Sequence, residues 1–95
     1  MTLKTLLKSP GDRADYDIEY GFWLGDDDRI VDVKAKIAGD DDLKISDTAW
    51  TADVAKIWLS GGTANKTSII NVAVTTLLGR IKNDCFKIRV RECSL

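Results

Sequence analysis

The chain has no histidine, and only one proline, two cysteines and one methionine among 95 residues. Without histidine the commonest general base and the commonest metal ligand are both missing. The serines and cysteines have no imidazole partner, and no lysine stands at a recognisable nucleophile–base spacing. No catalytic residue, metal site or cofactor site is therefore expected. Basic charge is not in excess either: 14 Lys and Arg face 15 Asp and Glu, for a net charge of −1 and a pI near 5.3. A general nucleic-acid binder needs surplus cations to displace counterions from phosphates, so nucleic acid is not an expected partner. Lys87, Arg89 and Arg91 recur on alternate positions and are the exception, a local basic stripe.

Long apolar runs are absent as well. None approaches the ~18 residues of a membrane span, and a membrane is not an expected partner. The opening MTLKTLLKSPGD interrupts its leucines with Lys4 and Lys8; it lacks the continuous apolar stretch of a signal peptide. Cys85 and Cys93 lie eight residues apart. On one extended strand that is about 26 Å, against the roughly 7 Å a disulfide requires. Reduced thiols and a cytoplasmic site of synthesis follow as expectations.

What the chain does have is alternation. At 44% apolar and 31% charged, its composition suits one soluble domain, and the apolar period is two over most of the length. In RIVDVKAKIAG, Val31, Val33, Ala35 and Ile37 are expected on one face, with Asp32, Lys34 and Lys36 on the other. YDIEYG, LKIS, VAKIWLS, the stretch with Ile70, Val72 and Val74, and CFKIRVRE read the same way. Turn signals at 25–28, 39–42, 60–65 and 79–80 divide the strands as in an all-β sandwich or barrel. Residues 13–95 are read as one such domain. Residues 1–12 are read as an arm, loose or ordered only against a partner, or else a frayed terminus. There Leu3, Leu6 and Leu7 have helical spacing, but SPGD stops any helix by Ser9, and nine residues are too few for a stable one.

Two motifs invite chemistry. KIWLSGGTANKTS sets glycines before a lysine and two hydroxyl residues. A phosphate-binding loop reads G-x-x-x-x-G-K-[ST]; aligned on Lys66–Thr67, it finds Ser60 and Asn65 where glycines belong. The β-branched residues after it favour a strand over the helix whose N-terminus would hold an anion, so the segment is read as a turn between strands. GDDD occurs at 25–28 and 39–42. Neither copy has the order of a calcium loop, and both are read as turn formers whose carboxylates point into water.

The tryptophans bear on contacts. With Ala55, Ile57 and Leu59 inward, Trp58 and Lys56 face out; the other register would draw a lysine into the core. An outward Trp58 is the residue type enriched at interface hot spots, unless a loop or the arm covers it. Trp23 is expected to anchor the core beside a turn. Trp50 either caps an open end or faces a partner. The interface candidates are Trp58, Lys56, Trp50, Leu3, Leu6 and Leu7.

DYDIEYGFWLGDD, KIWLSGGTAN and VAVTTLLGRIKNDCFKIRVRE resemble the small phage proteins called fiber-tail adaptors. The family pattern opens with a K-D-P-like turn and D-Y/F-x-x-D-W-x-x-W-L-G-D. It continues with V-W-L-S-G-G-T-A-G and T-N-x-I-T-T-A-A-G-R, and ends in T-I-R-V. Lys8 to Pro10 resemble the opening; Trp23, Leu24, Gly25 and Asp26 match the second element, and Trp58 through Ala64 the third. Thr75, Thr76, Gly79 and Arg80 match the fourth, and Ile88 to Val90 the last. Asn65 replaces a glycine, Leu77–Leu78 replace a small pair, and a tryptophan and a proline of the middle strand are absent.

The resemblance implies an immunoglobulin-like antiparallel β-sandwich of six or seven strands with a short N-terminal arm. It also implies a virion structural protein made in the bacterial host cytoplasm, which joins fibres to the tail by protein–protein contacts. Its partners would be other tail, fibre or neck proteins, with the chain in multiple copies or as a homo-oligomer. No catalytic residue is carried over. The alternatives are a capsid decoration or cement protein, and a carbohydrate- or receptor-binding module with Trp58 or Trp50 as a stacking platform.

Overall fold

Strand β5, Val54–Gly61, shows how alternation is converted into a core. Ala55, Ile57 and Leu59 are fully buried, while Lys56 and Trp58 stay on the opposite face. This is the register that spares a lysine from the interior. The computed structural model describes residues 4–92. Within them seven strands form two sheets: β1 (Thr5–Lys8), β2 (Arg13–Glu19), β3 (Ile30–Ala38), β4 (Leu43–Trp50), β5, β6 (Thr67–Thr76) and β7 (Ile81–Val90). A single helical turn, α1 (Gly21–Leu24), lies between β2 and β3.

One sheet has the order β1-β7-β6-β3 and the other β2-β5-β4. Ile57 and Leu59 meet Ile70, Val72, Val74, Phe86, Ile88 and Val90 across the gap between them. Each fully buried aliphatic side chain contributes about 1.5–3 kcal/mol of transfer free energy, so these few positions supply much of the driving force for so short a chain. The protein is an all-β sandwich, with every pairing antiparallel except β1 with β7, which is parallel.

Three expectations change. Four residues of the arm, Thr5–Lys8, are a strand on their own chain: Lys87 N–H donates to the Lys4 carbonyl and Arg91 N–H to the Lys8 carbonyl. In β3 a bulge between Ile30 and Asp32 turns Val31 outward, 38% exposed, and Ile30 takes the inward place. In β4 a bulge between Ile45 and Asp47 reverses the parity of the residues from Asp47 to Trp50. Extra residues of this kind depend on the partner strand and leave no mark in the alternation of one strand alone.

Candidate interaction surfaces

The register of β2, β5 and β4 arranges the outer face of the smaller sheet in rows. Asp15, Trp58 and Asp47 form one row; Asp17, Lys56 and Ala49 form the next. Lys56 Nζ lies 2.7 Å from Asp15 Oδ2 and 3.5 Å from Asp17 Oδ1. The hydrogen bond from Lys56 and its charge hold the Asp15 carboxyl below its usual range, and the bond to Asp15 raises the lysine. The Arg13 guanidinium sits 4.3 Å from the centre of a Trp58 ring. Trp58 is half-buried, with the Arg13 side chain of the neighbouring strand over its ring.

Trp50 is elsewhere. The β4 bulge pairs it with Ala55, on the inner face of the sheet, where it lies 42% exposed at the rim of the sandwich. The leucines of the arm are also divided. Leu6 packs against the core, whereas Leu7 is 61% exposed on the other face of β1. Leu3 lies outside the described residues, as does Cys93. Cys85 is a free, half-buried thiol. The outer face of the larger sheet collects Lys34, Lys36, Lys87 and Arg89 from its register rows and is the more basic side.

The glycine-rich segment closes one end of the sandwich. Thr67 begins a strand, not a helix. A Cβ on Gly61 would stand 2.5 Å from the Asp42 carbonyl oxygen, and one on Gly62 2.7 Å from Val90 Cγ2. Asn65, where the resemblance has glycine, has φ 70; asparagine is among the few side chains that enter this left-handed region readily.

Asp40 departs from the expectation for GDDD. It is 6% exposed and accepts hydrogen bonds from the N–H groups of Asp42 and Thr63 and from the Thr63 hydroxyl. Those bonds, the Thr63 N–H foremost, hold its carboxyl below the usual range against the opposing effect of burial. Lys8 carries no signal of burial in the sequence, yet it is 4% exposed; its ammonium donates to the Gly61 carbonyl at 2.6 Å and the Ser9 carbonyl at 2.8 Å. Burial lowers its pKa, partly offset by Asp12.

The opposite end is held by Arg80. Its guanidinium donates to Asp28 Oδ2 at 3.0 Å, to the Trp23 and Leu24 carbonyls, and lies 4.4 Å from the centre of a Trp23 ring. Trp23 also packs against the core. The Asp28 side chain is 1% exposed. Burial alone would raise its pKa, but bonds from Thr76, Leu78, Arg80 and Arg29 outweigh that and hold it at about 2. One aspartate of each GDDD turn therefore faces inward as a pin. Phe22, Leu77, Leu78 and Ile81 are exposed at this end.

Among the described residues no three His, Cys, Asp or Glu side chains converge to hold a metal, and no helix is long and apolar enough to cross a membrane.

A family model described as podophage GP4 fiber-tail adaptor protein gp77 matches residues 8–89. The match takes in both the loop closed by Lys8, Asp40 and Thr63 and the end held by Asp28 and Arg80. No curated protein matches the chain. Among solved structures, the solution structure of amebosin is similar at 10% identity with a TM-score of 0.43, over 92% of this chain and 88% of that one.

Proposed function

We propose, for a chain that belongs to the podophage GP4 fiber-tail adaptor family, that it joins fibres to the tail by surface contacts and performs no catalysis. The family membership makes it a phage tail-associated adaptor. The match over 8–89 is the observation that carries the reading. The outer face around Trp58 and Lys56 is the first contact surface we assign, because an aromatic ringed by charged side chains suits an interface hot spot. Exposed Leu7 on β1, and Trp50 at the rim, are the second and third. Copies of the chain side by side in the particle would bring these surfaces together. A sugar-binding platform at Trp58 is disfavoured because Arg13 already occupies one face of the indole.

The test is electron cryo-microscopy of virions with and without the chain. An adaptor lies at the fibre–tail junction, and its loss leaves tails without fibres. Density on the capsid shell, with fibres intact in its absence, would sink the proposal in favour of a decoration protein.

A further inference from the structure

The turn between β6 and β7 is built from residues that turns rarely use. Such positions favour glycine, asparagine, aspartate and serine; here Leu77 and Leu78 occupy them, 56% and 64% exposed. Phe22 of α1 is fully exposed at the same end, and Ile81 is 65% exposed. The leucines are held rather than loose. Leu77 N–H donates to the Arg29 carbonyl at 2.9 Å, Leu78 N–H to Asp28 Oδ1 at 3.1 Å, and Arg80 N–H to Thr76 Oγ1 at 3.1 Å. A buried carboxylate thus fixes the backbone while the side chains meet water. They serve neither the core nor the turn, and apolar side chains gathered on a pre-ordered tip mark a contact with another molecule. Asp26 and Asp27, on the loop that carries Asp28, are exposed and join no ion pair among the described residues.

A matching surface lies on the chain itself. The outer face of the larger sheet has a hollow of about 440 Å³ lined by Lys34, Lys36, Asn71, Ala73 and Asn83. Val72 and Asp84 lie beneath it, with their side chains buried on the inner side. In the register, Lys34, Ala73 and Asn83 make one row, and Lys36, Asn71 and Cys85 the next. Ala73 has only a methyl group, which leaves the space between its longer neighbours. Ile69, 36% exposed, follows one row further on, beside Lys87. The hollow sits over β3 and β6, at least two strands in from β1. Lys34, Lys36, Lys87 and Arg89 give this face its charge, opposed by Asp32 at the row nearest the tip. Among the described residues none of these four cations is in an ion pair.

Resting on the adaptor reading, in which copies of the chain stand side by side in the tail, we propose that the Leu77–Leu78 tip of one copy seats in the Lys34–Lys36 hollow of the next. The occupant is a second copy because both halves of the fit are present in one sequence. The tip is an apolar knob flanked by carboxylates; the hollow has an apolar floor flanked by ammonium groups. The leucines cover Ala73 and Ile69, while Asp26 and Asp27 come beside Lys34 and Lys36. Burial of the leucines supplies the hold. Exposed ion pairs add little to it but orient the two copies. Tip and hollow are different surfaces, so the contact is head-to-tail and repeats from copy to copy until it closes in a ring.

The experiment places the photo-crosslinker benzoylphenylalanine at Leu78, and in a second preparation at Trp58, within assembled virions. Gel mobility gives the mass of each product, and mass spectrometry identifies the joined peptides. The expected result from position 78 is a product of twice the chain's mass, attached within residues 34–36 or 69–73. Lys34→Glu with Lys36→Glu should reduce that product about fivefold or more per chain incorporated. Adding Asp26→Lys with Asp27→Lys should restore it. A loss of incorporation that the charge swap restores counts the same way. The isolated chain carrying Leu77→Ser and Leu78→Ser should melt within about two degrees of wild type, because neither side chain is in the core.

Attachment from position 78 to a different virion protein, or no product of doubled mass, would overturn the inference. So would a charge swap that restores nothing, or a double serine variant that melts several degrees lower, since the leucines would then pack within their own chain. A chain located outside the tail defeats the adaptor reading itself. A chain in the tail that crosslinks from position 58 alone defeats only the contact between tip and hollow.

Discussion

Lys8→Met tests whether a buried ammonium fastens the first strand to the rest of the sandwich. Methionine keeps most of the stem and removes the charge. Two hydrogen bonds to carbonyls are lost, those to Gly61 and Ser9, each a charge-assisted bond of about 1.5–3 kcal/mol. Against this, the cost of keeping an ammonium out of water is recovered, which is the same effect that lowers the lysine's pKa. A net loss of about 2 kcal/mol is expected. For a domain of this length that corresponds to a fall in Tm of about 8–16 °C.

Thermal unfolding followed by circular dichroism gives the magnitude. Hydrogen exchange gives the location: the Lys87 and Arg91 amides, bonded to the Lys4 and Lys8 carbonyls at 2.7 and 2.9 Å, should lose more protection than amides of β6. Proton linkage adds a sign. The folded lysine releases its proton below pH 10.5, so the unfolded chain binds more protons just below that value and stability from this group rises with pH there. The variant should lack that rise. A variant that melts within about a degree of wild type, where several degrees are expected, with Lys87 and Arg91 equally protected, would refute the reasoning.

Burial raises the pKa of both tyrosines, with Asp84 adding to the effect on Tyr20 and Asp12 and Asp15 on Tyr16. Ultraviolet absorbance of the phenolate should therefore show little tyrosinate near pH 10, and stability should fall above about that pH because only the unfolded chain ionises there. Asp28, at about 2 when folded, contributes stability that is present above about pH 4 and lost as pH falls toward 2. Asp28→Asn should be less stable at pH 7, and its acid unfolding curve should be flatter across that window. Asn65→Gly should leave stability nearly unchanged, whereas Asn65→Ala should cost about 1 kcal/mol from the left-handed backbone; urea denaturation distinguishes them. Trp58→Ala should melt close to wild type yet lower the number of fibres per particle, counted by electron microscopy.

The strands legible in the sequence are those whose polar positions make one register costly. In β5, Lys56 settles which side is inward; in β7, Lys87 and Arg89 do the same for Phe86, Ile88 and Val90. The bulges are not legible, and with them goes the placement of Val31 and Trp50. The arm is hidden for a related reason: the spacing of its leucines is local, but its structure comes from pairing Thr5–Lys8 with Lys87–Val90, at the far end of the chain. A single helical turn, α1, is too short to have a period. Lys8, Asp28 and Asp40 have residue types that usually sit at the surface. Each is inside because carbonyls, N–H groups or a guanidinium from distant loops gather around it.

The extra residue in β4 has a practical use. It sets two indoles of one sheet in unlike surroundings, Trp58 beneath a guanidinium outside and Trp50 at the inner rim. Trp23 stands apart from both, under a second arginine. Variants that retain one indole at a time would emit from three separate addresses. Fluorescence could then tell, in solution and in real time, which part of the molecule a neighbour touches first.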